Sequence, residues 1–158
     1  MNRLGLVLSA ILLLGASHGS VVDLSVGQDK TTRAAVVWQR LDAGQFSISA
    51  PPGWEFHKLQ GIDSYVGEFV GDGVRLGFDF GAYSNPLDDA KSPTYLISDE
   101  YVGGFKARIV YPKKSGHGIT GIYFPNLGHR NKLTVEVQNL DTVQRDIVLT
   151  MFRSIQFR

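Results

Sequence analysis

The sequence predicts an α+β fold: an antiparallel β-sheet of about six or seven strands with a C-terminal helix packed on one face. Three observations predict it. Short runs of alternating apolar and polar residues recur between Phe46 and Gln138, separated by glycine- and proline-rich turns. A single stretch, residues 141–153, has helical spacing. The chain contains no cysteine, so the fold must hold by burial and hydrogen bonding rather than by disulfides.

Residues 1–19 read as a signal peptide. Arg3 supplies a positive charge, residues 4–14 are apolar apart from Gly5 and Ser9, and Gly15, Ala16, Ser17, Gly19 and Ser20 make a small-residue exit. A membrane-spanning helix needs about 20 apolar residues, which this run does not reach. Cleavage after Ser17 and cleavage after Gly19 both fit the rule, and no cysteine follows to carry a lipid. The expected product is an exported, soluble protein, periplasmic or secreted, with no membrane insertion after signal cleavage. Residues 20–43 read as a leader segment, with residues 34–40 (AAVVWQR) able to form a first strand. Residues 44–158 then make a single α+β domain.

Within that domain Phe46 and Ile48 alternate with Ser47 and Ser49, and Pro51-Pro52-Gly53 ends the strand. Residues 54–59 and 64–70 are the next strands, and Gly71-Asp72-Gly73 is a tight-turn signal into the most regular alternation of the chain. There Val74, Leu76, Phe78, Phe80 and Ala82 point one way, while Arg75, Gly77, Asp79, Gly81 and Tyr83 point the other. A polar, proline-bounded loop over 84–93 precedes a hairpin that turns at Val102-Gly103-Gly104. After the loop 112–118, residues 119–124 and 132–138 form a last hairpin. Asp141 can cap the helix, with Gln144 completing a capping box and Val143, Ile147 and Met151 on one face. Residues 154–157 alternate and can join the sheet.

Charge excludes one class of function. Without Arg3 the chain is formally neutral, whereas nonspecific nucleic-acid binding needs a basic surface, so no nucleic acid is expected. The charge is nonetheless uneven. Residues 59–100 carry eight acids against Arg75 and Lys91, and residues 101–158 carry nine basic residues against Glu136, Asp141 and Asp146. Pairing of the two segments across neighbouring strands accounts for this, as does an acidic or basic face kept for binding.

The strand ending in proline and Gly-Trp (residues 46–54), the antiparallel run after it and the closing MFRSIQF (residues 151–157) resemble the PsbP/Mog1-like α+β domain. GIDSYVG at 61–67, FDFG at 78–81 and YSN at 83–85 are similar to uncharacterised exported bacterial proteins. The resemblance spans residues 44–157. It implies an antiparallel sheet flanked by helices and an accessory or partner-binding role, and it supplies no catalytic residue.

The residues themselves offer no nucleophile elbow, phosphate-binding glycine loop or H-E-x-x-H metal motif. His117 and His129 share a Gly-His context, but the last hairpin sets them roughly 20 Å apart, too far to share an ion. His57 reads as a surface residue and Asp72 as a turn residue. Asn85 and Asp88-Asp89 offer oxygen ligands without the spacing of a calcium loop, and read as a solvated turn. No catalytic residue, metal or cofactor is assigned. Asp79 differs, because Gly77 and Gly81 on either side leave a trough where a ligand could approach. Tyr65 and Tyr83 are candidates to border it. The function expected is a non-catalytic binding or accessory domain for a protein partner or small ligand. The alternatives are a small envelope-polymer hydrolase using acids of residues 63–100 with His57, and a structural envelope component.

Overall fold

The computed structural model describes residues 37–91 and 93–158. The signal peptide at 1–19 and most of the leader at 20–43 lie outside the described residues. Within them the chain runs β1 (Gln39–Asp42), β2 (Phe46–Ala50), β3 (Glu55–Lys58), β4 (Tyr65–Gly71), β5 (Val74–Gly81), β6 (Tyr95–Val102), β7 (Phe105–Pro112), β8 (Ile119–Phe124), β9 (Lys132–Gln138), α1 (Thr142–Arg153) and β10 (Gln156–Phe157). The architecture is α+β and antiparallel, but the strands divide between two sheets. Seven strands run in the order β3-β4-β5-β9-β8-β7-β6, and three in the order β1-β2-β10. The last strand therefore joins the smaller sheet, with Phe157 opposite Phe46. β1 pairs with β2 in that sheet, with Gln39 opposite Ala50.

Local chemistry builds the elements as their residues dictate. Asp72 and Gly73 both take positive φ, 50° and 73°, in the β4–β5 turn, the backbone geometry that lets two residues reverse a right-twisted hairpin. Asp72 also accepts a hydrogen bond from the Trp54 indole at 2.9 Å. That ring lies over Gly71, where a Cβ would stand 2.3 Å from it. At α1, Asp141 accepts from the Gln144 amide at 2.8 Å and the Gln144 side chain accepts from the Asp141 amide, which closes the capping box.

Alternation gives the large sheet two unlike faces. On the inner face Leu76, Phe78, Ile109, Ile122, Leu133 and Val135 join one core with Val148, Leu149, Met151 and Phe152 of α1 and with Phe46 and Ile48 of β2. Phe46 is fully buried and meets Phe69 and Phe78 at ring separations of 6.0 and 5.1 Å. Such edge-on packing contributes beyond the area buried.

The connection from β5 to β6 must travel from the third strand of the sheet to its far edge, and it crosses the outer face. Leu87 and Ala90, in a segment that reads as polar, are buried there against Val110 and Tyr123. Asp88 pairs with Arg108 at 3.0 Å, and Glu100 of β6 pairs with Arg153 of α1 at 2.8 Å. These two pairs join the acidic and basic segments of the chain.

Candidate functional site

The crossing segment covers the outer face on the β8–β7 side and leaves the β4–β5–β9 region beside it open. Register determines what lines this opening. Val66, Asp79 and Thr134 lie in one transverse row, and Glu68, Gly77, Glu136 and Gly121 in the next. Asp79 and Glu136 are thus diagonal neighbours on one face, a separation of about 7–8 Å between their backbones. Gly77 lies between Glu68 and Glu136 and forms the floor of a cavity of about 440 Å³.

The walls are held firmly. On one side buried Glu68 is paired with the Arg75 guanidinium. On the other, the Thr134 hydroxyl donates to the Asn85 carbonyl at 2.6 Å and the Asn85 amide donates to Glu136 Oε2 at 3.2 Å. The Asn85 side-chain oxygen accepts from the Leu87 amide at 3.0 Å. Ser84 anchors the start of the segment, its hydroxyl 2.8 Å from the Asp79 carbonyl.

The electrostatics of the floor are unbalanced. Burial pushes the Glu136 carboxyl above the usual carboxylate range; the Asn85 amide pulls it back in part, and the charge of Asp79 pushes it up again. Asp79 Oδ1 is buried and has no hydrogen-bond partner among the described residues. Two carboxylates, an amide and a hydroxyl therefore face a cavity whose basic lining residue, Arg75, is already taken by Glu68. Such a site can accept hydrogen bonds and positive charge.

The residues singled out by sequence separate. Asp79 lines the cavity. Tyr65 does not border it: Tyr65 pairs with Phe80 while Val66 pairs with Asp79, so alternation turns the ring inward, 5.5 Å from that of Phe78. Tyr83 lies past the end of β5 and is 86% exposed. The two glycines beside Asp79 also differ. A Cβ on Gly81 would meet Ser64 Cβ at 2.7 Å, whereas one on Gly77 would meet nothing nearer than the Glu136 carbonyl at 3.9 Å. Glu136 and Thr134 escape a reading of the sequence, and Asn85, read there as part of a solvated turn, instead bonds to both of them. Their alternation was legible, but their meeting with Asp79 depends on the β5–β9 pairing.

The remaining candidates lie apart. His57 is exposed, 3.3 Å from Glu55 and 3.7 Å from Glu68, at the far end of the row that holds Gly77. His117 precedes β8 and His129 sits in the turn at the other end of the same hairpin. Among the described residues no three His, Cys, Asp or Glu side chains converge as a group that could hold a metal ion.

Fold and face together define the class: an antiparallel α+β domain with an open, acid-lined trough on the outer face of its larger sheet. Comparison with protein-family models, with curated proteins and with solved structures returned no match.

Proposed function

We propose that this chain is an exported, non-catalytic binding domain of the PsbP/Mog1-like kind, which receives its ligand in the trough over Gly77. On this reading α1 packs on the face opposite the trough and leaves it accessible. The signal-like residues 1–19 support export to the periplasm or the exterior.

The observation that carries the proposal is Gly77. A glycine inside a strand costs about 0.5–1 kcal/mol relative to alanine. The usual structural reasons for one do not apply, since its φ is not positive and a Cβ would meet no atom within 3.9 Å. What the glycine does provide is an unobstructed floor between Glu68 and Glu136. A strand that tolerates this cost at its centre is suited to the close approach of another molecule.

The test uses the chain expressed whole and purified after export, screened by thermal shift against glycans, envelope fragments and organic ions, then repeated with Gly77→Val. A ligand at 100 times its Kd stabilises by about 2.7 kcal/mol, and Gly77→Val is expected to abolish that shift. Hits that survive Gly77→Val unchanged would locate binding elsewhere.

One observation favours a second reading. A carboxyl pushed up by burial beside another carboxylate is the arrangement glycosidases use as acid and base or nucleophile. Asp79 and Glu136 would then hydrolyse an envelope polymer. Turnover of a glycan that is lost in both Asp79→Asn and Glu136→Gln would replace the binding reading; the expected result is no turnover.

A further inference from the structure

We infer that the trough selects a small organic cation, a primary amine or guanidine with an apolar body, seated over Gly77 between Asp79 and Glu136. The inference rests on the trough being the ligand site and adds the chemical class of what enters it.

The acids alone do not carry it. The first support is an uncompensated charge. Arg75 is engaged by Glu68, and Asp79 Oδ1 is buried without a partner among the described residues. That oxygen is itself buried, so a cation seated over Gly77 acts on the Asp79 carboxylate through its charge rather than through a hydrogen bond to Oδ1. The second is the cradle. Gly77 leaves free the space a side chain would fill, directly beside the Glu136 backbone. The third is the donor set. The hydroxyl proton of Thr134 is committed to the Asn85 carbonyl, so its oxygen is left with lone pairs to offer. The two carboxylates and the hydroxyl oxygen supply acceptors, the Asn85 amide already donates to Glu136, and an ammonium presents three donors and no acceptor.

The same donor set argues against a metal ion. Two carboxylates line this floor, and among the described residues no group of three or more His, Cys, Asp or Glu side chains could hold a metal ion. The size and lining favour a small molecule. The cavity of about 440 Å³ falls in the range of small-molecule sites, and Leu59, 45% exposed, lines it as an apolar wall for the body of the ligand.

The experiment titrates the exported protein with pentylamine, pentanol and pentanoate, three probes of one shape that differ in charge, and follows the backbone amides of Gly77 and Thr134, which line the trough, by NMR. Pentylamine is expected to move both amides saturably. Glu136→Gln, which keeps an acceptor for Asn85, is expected to weaken that binding by about tenfold to a hundredfold, the range for losing one charged hydrogen-bond partner. Its thermal unfolding, expected at or above that of the parent at neutral pH, checks that the fold is intact. Pentanol or pentanoate moving the amides as strongly would overturn the cation and leave the trough as the site. An amine shift unaltered in both Glu136→Gln and Asp79→Asn would be ion pairing elsewhere and would also overturn it. A lysine-rich peptide that binds where the free amine does not would replace the small molecule by a protein partner. Silence of the trough amides to all three probes sinks the cation, and silence to the wider panel as well sinks the trough.

Discussion

The two faces of the seven-stranded sheet are made by the same strands and use glycine for opposite purposes. On the inner face Gly67 lies opposite Phe78, and a Cβ there would come within 2.6 Å of that ring and 2.9 Å of the His57 carbonyl. The missing side chain is a packing requirement, since interiors are filled to the density of organic crystals. On the outer face Gly77 has no atom within 3.9 Å of its would-be Cβ and stands among charges instead of rings. One glycine lets the core close and the other keeps a surface open. Composition cannot tell them apart, whereas their neighbours can.

The largest effect should come from the inner face. Phe46 is fully buried among aromatic rings, so Phe46→Ala is expected to cost about 3–5 kcal/mol in denaturant unfolding. A cost below about 1 kcal/mol, the scale of a surface change, would show that the core is not where the two sheets and α1 meet. The glycines give the direct comparison. Gly67→Ala should cost about 1–3 kcal/mol through forced displacement of Phe78 and the β3 backbone. Gly77→Ala should be neutral or stabilising by up to about 1 kcal/mol, because it only removes freedom from the unfolded chain. Equal losses at the two positions would erase the distinction between the faces.

The smallest effect is a pH dependence. Glu136 is pushed above its ordinary value of 4.5 by burial, with a further push from Asp79, so the native protein holds that proton more tightly than the unfolded chain does. Stability is therefore highest below the ordinary value and falls as pH rises to the raised one. Glu136→Gln removes this loss. The variant should melt above the parent at neutral pH, and its advantage should fade as the pH drops through the carboxylate range. A constant difference across that range would mean that Glu136 is not strained by its surroundings.

Much of the fold was legible because it rests on short-range chemistry. The Asp72-Gly73 turn, the alternation from Val74 to Phe78 and the Asp141 capping box each involve groups only a few residues apart. The fate of β10 was not. Its two residues alternate as a strand should, yet they pair with β2, more than a hundred positions earlier, where the Ser154 hydroxyl at the end of α1 also accepts from the Ser49 amide at 2.8 Å. The crossing segment misleads for a related reason. Among polar residues Leu87 looks exposed, but it is buried against the outer face, its methyl 2.8 Å from where a Cβ on Gly121 would stand.

The site divides along the same line. Asp79 and its flanking glycines could be found along the chain, since the periodicity of a strand places them on one face whatever lies next to it. Glu136 and Thr134 reach the trough only because β9 inserts beside β5, and Asn85 only because the start of the crossing segment bonds to β9. The inward turn of Tyr65 follows from β4–β5 register, where a shift of one residue would exchange its face. Turns, caps and alternation are governed by sterics and hydrogen bonds within a few residues, so one segment suffices to specify them. Strand order and register are governed by which pairing lets Phe46, Phe78, Leu133 and Phe152 share one core, and that balance involves the whole chain at once.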